Sequence, residues 1–389
     1  MRRVYLDNAA TTYVSNEVLT EMLPVFNTVY GNSSSLHSFG RESVALLDKA
    51  RDRIAHAINS NSNEIYFTSG GTEANNWAII GLALANRGKG NHIITSQIEH
   101  RSVLDSCKYL ETLGFKVTYL PVDENGYVSI VDLIHYLNDD TILVSVMAAN
   151  NEIGIIQNLQ TIAKIAHEKN VIFHTDASQA IGAISIDVKS IGIDAMTMSA
   201  HKVYGPKGTG ALYVKKGVKI NNIIYGGNQE KGKRSGTVNV AGAVGFGKAV
   251  EIAVRDMSVN NKKLKTMREY FTSNVNKQIS NIKINCNTVQ KLPGLVNISF
   301  EYIDGESLMT LLDLDGIAVS TGSACSAGSV EPSHVLRALG LSPELMKGSI
   351  RFAFGKSTTK EEVDYVIASL VKNVNKLRDM SPLTKKAKK

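Results

Sequence analysis

From about residue 64 to 214 the chain alternates short apolar or β-branched runs with stretches of helical spacing. The runs Ile65–Thr68, Ile93–Ser96, Lys116–Leu120, Ile142–Met147, Val171–Thr175, Asp194–Met198 and Ala211–Val214 predict seven strands. Most are continuous rather than alternating, as expected when helices cover both faces of a mainly parallel sheet. Leu159 to Glu168 reads as a helix between strands. Earlier in the chain, Val44, Leu47, Ile54 and Ile58 keep helical spacing, with Arg41, Lys49, Arg51 and Asp52 among the polar positions. Strands joined by helical crossovers predict one α/β unit. After about residue 260 the pattern changes. The Lys-rich segment Asn260–Lys265 opens a helix, and Gly294–Phe300 and Ser349–Phe354 read as half-exposed strands. Helical segments Ser307–Leu314, Ser333–Ala338 and Lys360–Leu377 surround them. This predicts a smaller α+β domain, with a ligand cleft against the first. The expected division is residues 14–260 for the large domain and 1–13 with 261–389 for the small one.

A length of 389 residues with 43% hydrophobic content supports a large core and makes two domains the default. No apolar run approaches the roughly 18 residues of a membrane span; the longest, Trp77 to Ala85, is about half that. The chain enters Val4-Tyr5-Leu6-Asp7 without the apolar core of a signal peptide, so the cytoplasm is the expected compartment and no membrane partner is expected. Cys107, Cys286 and Cys325 form no C-x-x-C pair, which argues against a disulfide framework or a zinc site. The net charge of +7 owes four charges to Lys385, Lys386, Lys388 and Lys389. The body is therefore mildly basic, and direct nucleic-acid binding is not expected.

Polar residues gather where the strands end, which is where open α/β sheets bind ligands. Ser199-Ala200-His201-Lys202 follows the strand Asp194–Met198, and a lysine there is a candidate Schiff-base nucleophile. Asp176, in His174-Thr175-Asp176-Ala177-Ser178-Gln179, stands 26 residues earlier at the preceding strand end. Such a pair suits pyridoxal phosphate (PLP): the carboxylate keeps the pyridine nitrogen protonated and the lysine carries the cofactor. Thr68-Ser69-Gly70-Gly71-Thr72-Glu73 is a glycine turn opening a helix, either an anion site or an ordinary helix cap. His100, after Gln97-Ile98-Glu99, could lie against a ring and move protons, or be a satisfied structural histidine. Asn150-Asn151-Glu152-Ile153-Gly154 offers an amide to a cofactor oxygen or substrate carboxylate, or caps a turn.

Taken together, these residues resemble the class V aminotransferase branch of the PLP-dependent fold type I enzymes, and within it the cysteine desulfurases of the NifS/IscS kind. The resemblance begins at Tyr5–Thr12 and Gly31–His37 and runs through Thr68–Glu73, Glu99-His100, Asn150–Gly154, His174–Gln179 and Ser199–Gly208. It continues through Arg234–Thr237, Ser323-Ala324-Cys325, Glu331–Ala338 and Arg351-Phe352. It implies fold type I, a seven-stranded mainly parallel sheet with a smaller α+β domain. By motif, Lys202 would carry the cofactor, Asp176 would pair with its ring nitrogen, Gln179 would bind its phenolic oxygen and His100 would stack on the ring as a proton carrier. Gly71, Thr72, Ser199 and His201 would hold the phosphate, and Thr237 would reach the phosphate of a neighbouring subunit, implying a homodimer. Asn151 would contact cofactor and substrate, and Arg351 would bind the substrate carboxylate.

Cys325 lies in Val319–Ser329, a run of small residues with no apolar periodicity, and the loop of about 320–332 is expected to be mobile with an accessible thiol. Cys107 and Cys286 read instead as small buried hydrophobes. The resemblance implies that L-cysteine is converted to L-alanine, leaving a persulfide on Cys325 for a sulfur acceptor or iron–sulfur scaffold. No intrinsic metal is implied, although Cys325 could transiently ligate a shared iron–sulfur cluster. The alternatives are a selenocysteine lyase and another class V aminotransferase. Where relatives often carry Ser-Ser-Gly-Ser-Ala-Cys, this chain has Ser320-Thr321 before Gly322. The lysines at 385–389 are either a solvated end or a guide for an acidic acceptor.

Overall fold

The computed structural model describes residues 2–321 and 333–381; Cys325 and the lysines at 385–389 lie outside the described residues. The strands run in chain order as β1 (Val4–Tyr5), β2 (Ile65–Thr68), β3 (His92–Ser96), β4 (Lys116–Leu120), β5 (Thr141–Ser145) and β6 (Ile172–Asp176). They continue as β7 (Ala195–Ser199), β8 (Gly210–Val214), β9 (Ile282–Asn285), β10 (Leu295–Phe300), β11 (Ile317–Ala318) and β12 (Ser349–Ala353). Seven of them form one sheet in the order β2-β8-β7-β6-β5-β3-β4. The strands from β7 to β4 are parallel, whereas β8 runs antiparallel to both of its neighbours. This is the mainly parallel sheet that the apolar runs predict, with strand ends displaced by a residue or two.

Helices on both faces explain the continuous apolar strands. In β3, Ile93 joins the core formed by Trp77, Leu82, Val103 and Leu110 of helices Gly71–Asn86 and Arg101–Thr112. The next residue, Ile94, joins the opposite core, with Ile54, Ile162 and Phe246 of helices Ser38–Ala57, Leu159–Glu168 and Val240–Arg255. The Trp77–Ala85 run lies in a helix pressed into the first of these cores. Arg51, on helix Ser38–Ala57, is buried there in a bidentate pair with Glu230 at 2.7 and 2.9 Å. Glu230 also accepts the Phe67 N–H, so the charge tethers the 229–232 turn to β2.

The second sheet, β12-β10-β9, is antiparallel. Its central strands differ from expectation: β10 and β12 are buried along their whole length rather than half-exposed. Val296, Ile298, Phe300, Ile350 and Phe352 pack under helices Met257–Gln278, Gly305–Leu314 and Lys360–Met380. Some of the polar positions between them find partners inside the protein rather than in water. Asn285 Nδ2 donates to Asn297 Oδ1 at 2.7 Å and to Ser299 Oγ at 2.8 Å. The Lys-rich segment Asn260–Lys265 lies inside a helix that already begins at Met257. Cys107 and Cys286 are buried thiols, as expected.

The N-terminal segment straps the two sheets together. β1 pairs with β11, the Ala353 N–H donates to Leu6 O at 2.7 Å, and Thr12 N–H donates to His201 O at 2.9 Å. Residues 7–11 therefore cross the carboxyl ends of the large sheet. Among the described residues, no helix is long and apolar enough to cross a membrane.

Candidate active site

Strand ends place the chemistry. Asp176 is the last residue of β6 and Ser199 the last of β7, and a single turn of helix after β7 carries His201 and Lys202. Beside them the helix Gly71–Asn86 begins after Gly70, whose φ of 154° is open to glycine and strained for other residues. These elements enclose a cavity of ≈ 340 Å³, lined among others by Gly71, Thr72, His100, Asn151, Asp176, Gln179, Ser199, His201, Lys202 and Arg351. Ten of the positions singled out by sequence thus meet at one cavity. Thr237 does not; it is exposed and off the cavity within one chain. Cys325 lies outside the described residues.

Each side chain has an identifiable support. Lys202 Nζ donates to Ala9 O at 2.7 Å and Ala10 O at 2.8 Å, contacts made by the N-terminal strap. Gln179 Nε2 donates to the same Ala9 O at 2.9 Å. Asp176 accepts from Ser178 N–H at 2.9 Å and from Asn75 Nδ2 at 2.7 Å, which fix its orientation. Arg351 is 1% exposed, donating to Asp7 Oδ1 at 2.7 Å and Asn151 O at 2.9 Å, while its buried Nε has no acceptor among the described residues. His100 caps the helix Arg101–Thr112 through Nδ1.

Burial sets the remaining charges. His201 is pushed down to about 4 by burial first and then by Lys202 and Lys207, so it is a neutral ring at ordinary pH. Its Nδ1 lies 3.1 Å from Thr11 Oγ1. Behind His100, burial pushes the Glu99 carboxyl up to about 8. Its Oε1 accepts from Ser96 Oγ at 2.6 Å and from the Met147 N–H at 2.9 Å, and its Oε2 has no partner among the described residues.

The cavity fits PLP on its own terms. Among the described residues Ser199 Oγ is buried with no hydrogen-bond partner, and a methyl at Gly71 would lie 3.0 Å from Ser178 Oγ and 3.5 Å from Ser199 Cβ. This is a small cradle at a helix N-terminus, whose first amides have no intrahelical acceptor. Lysine and carboxylate line the same wall.

The family model described as aminotransferase class V matches residues 4–366. The chain belongs to the class V aminotransferase family. A relative named cysteine desulfurase IscS, from Clostridium botulinum, is 52% identical over 384 residues, covering 98% of this chain and 97% of that protein. A human protein named cysteine desulfurase is 45% identical, covering 98% of this chain and 84% of that protein. A solved structure named NifS-like protein superposes with a TM-score of 0.92 at 39% identity, covering 97% of this chain and 100% of that one. The fold is thus that of PLP-dependent fold type I enzymes, and class V aminotransferases of this kind are PLP enzymes.

Several residues at this class V site escaped the sequence reading. Asn75, Ser102, Asp7 and the Ala9–Ala10 carbonyls each touch a candidate functional side chain. Asn75 had a weak signal, being one of two adjacent amides just before the apolar run Trp77–Ala85. The carbonyls had none, because every residue carries one.

Proposed function

We infer that this protein is a PLP-dependent cysteine desulfurase that takes sulfur from L-cysteine and releases L-alanine. The observation that carries the reading is the meeting of Lys202, Asp176, the Gly71–Ser199 cradle and Arg351 at one cavity, in a chain about half identical to full-length cysteine desulfurases.

Gly71, Thr72, Ser199 and His201 would hold the cofactor phosphate, Asp176 its ring nitrogen and Gln179 its phenolic oxygen. When bound, PLP supplies an electron sink that lets the substrate Cα lose its proton and weakens the bond to sulfur. Arg351 draws in the substrate carboxylate with the guanidinium hydrogens that Asp7 and Asn151 O leave over. The Lys202 amine, held by two carbonyls in the cavity, removes and returns the proton at Cα. The Cys325 thiolate attacks the substrate sulfur, so that cysteine and one enzyme thiol become alanine and one enzyme persulfide. The persulfide then passes to an acceptor for iron–sulfur assembly or other thiolation. The working unit is a cytoplasmic homodimer with Thr237 serving the neighbouring site. Residues 14–260 form the cofactor domain, and 1–13 with 261–389 form the domain bearing Cys325.

The test is to supply the purified protein with cysteine and a thiol reductant, without any 2-oxo acid, and to measure alanine and sulfide. Both should form in equal amounts. Cys325→Ser should form neither product catalytically, yet still bind cysteine. A strict requirement for a 2-oxo acid would make the chain an aminotransferase instead.

A further inference from the structure

Between Asp176 and His100 the cavity wall contains a chain of hydrogen bonds that the reaction above does not use. Asn75, in the second turn of helix Gly71–Asn86, is almost fully buried. Its Nδ2 spends one hydrogen on Asp176 Oδ2 at 2.7 Å and the other on Ser102 Oγ at 2.8 Å. The reverse orientation would set Oδ1 against a carboxylate, so charge dictates which way the amide points. Ser102 Oγ therefore accepts from Asn75 and has its own hydrogen for His100 Nδ1, 2.8 Å away. The Ser102 backbone N–H, which can only donate, also aims at Nδ1 at 3.2 Å. Two donors converge on one ring nitrogen, so Nδ1 must present a lone pair and the ring hydrogen must sit on Nε2.

Building on the desulfurase reading of this cavity, we propose that Asn75 and Ser102 are positioning residues that hold His100 as a neutral imidazole with its hydrogen on Nε2. His100 then contributes a ring face and an N–H donor, not a base. Protonating the ring would place a hydrogen on Nδ1 against both donors; the hydroxyl could rotate away, but the backbone N–H cannot. The proton at the substrate Cα is left to Lys202. Because Asp176 orients the Asn75 amide, the tautomer of His100 depends on the same carboxylate that would face the cofactor ring. Titratable and charged groups sharing the cavity with His100 are Asp176, Lys202 and Arg351, and Glu99 and His334 also act on it electrostatically.

The experiment is long-range proton–nitrogen NMR on protein carrying 15N-histidine, cofactor-free and cofactor-loaded, at neutral pH. His100 is assigned by the resonances lost in His100→Gln. Wild type should show a bare Nδ1 and a hydrogen-bearing Nε2 in both forms. Ser102→Ala, which leaves only the longer backbone bond of 3.2 Å on Nδ1, and Asn75→Ala, which frees the hydroxyl to turn, should each move the two resonances part of the way toward averaged values, and Ser102→Thr should restore the wild-type pattern. A hydrogen on Nδ1 in wild type, or an unmoved pattern in either alanine variant, overturns the proposal. Alanine release from cysteine is measured on the same wild-type sample. Its absence would defeat the desulfurase reading, whereas the cofactor-free spectrum tests the tautomer alone.

Discussion

Arg351 is a fully buried cation whose fork is divided between jobs. Asp7 and Asn151 O take one nitrogen each, and Nε has no acceptor among the described residues. Lysine at this position keeps a charge for Asp7 but has no planar fork for a second carboxylate. Arg351→Lys should therefore weaken cysteine binding by roughly 1–3 kcal/mol, the worth of a charge-assisted hydrogen bond. Steady-state kinetics should show it as a raised KM with the cofactor absorption band retained; an unchanged KM would place the substrate carboxylate elsewhere. Glu99 makes a different kind of prediction. Its folded carboxyl titrates near 8, well above its ordinary 4.5, because burial opposes the charge. Between those values the folded chain holds a proton that the unfolded chain has released. Stability from this group is complete below the unfolded value and is lost as pH rises through the folded one. The slope is at most about 1.4 kcal/mol per pH unit. Glu99→Gln, neutral at every pH, should flatten that slope in urea titrations; identical slopes would mean the carboxyl is ionised when folded.

Helix Gly71–Asn86 shows how one element serves two ends. Its apolar length, with Trp77 and Leu82, locks it to the sheet, and that packing aims its first turn at Ser199. Gly71→Ala ought to help the helix by about 0.4–1 kcal/mol, since alanine has less freedom to lose. The added methyl, however, would crowd Ser178 and Ser199 where a phosphate must fit. The cofactor-free variant should thus melt no lower than wild type while binding PLP at least about tenfold more weakly, a loss of 1.4 kcal/mol. Absorbance titration with PLP reads the second quantity, and undiminished affinity would move the phosphate away from this turn. The N-terminal strap is the opposite case, an element with little structure of its own. β1 has two residues, yet the segment after it supplies both carbonyls that hold Lys202.

For the whole molecule the question turns on Thr237, the one candidate phosphate ligand that does not line its own chain's cavity. The segment leading into it is anchored twice. Glu230 pairs with Arg51, and Arg234 makes two bonds of 2.8 and 2.9 Å to Glu73, in the first turn of the cofactor-side helix. If Thr237 works across a dimer, mixing Lys202→Ala chains with Thr237→Ala chains creates one site with both groups intact. Activity of the refolded mixture should exceed that of either variant alone. No gain over the Thr237→Ala protein would confine Thr237 to its own chain or remove it from the site.

The seven strands of the large sheet, their alternation with helices and the polar residues at the strand ends were legible in the amino-acid sequence. Their signals are local: a run of β-branched residues, a helical period, a lysine or aspartate just after an apolar run. What the sequence could not settle is whatever depends on partners far along the chain. The pattern of β10 and β12 suggested half-exposed strands, because Asn297, Ser299 and Arg351 look like solvent positions until Asn285, Asp7 and Asn151 O are brought against them. Lys202 is held by carbonyls 192 and 193 residues away, and Asp176 by an amide 101 residues away. The chemistry of a side chain is written at its own position, but its charge, tautomer and orientation are set by what packs beside it, and only the folded chain decides that.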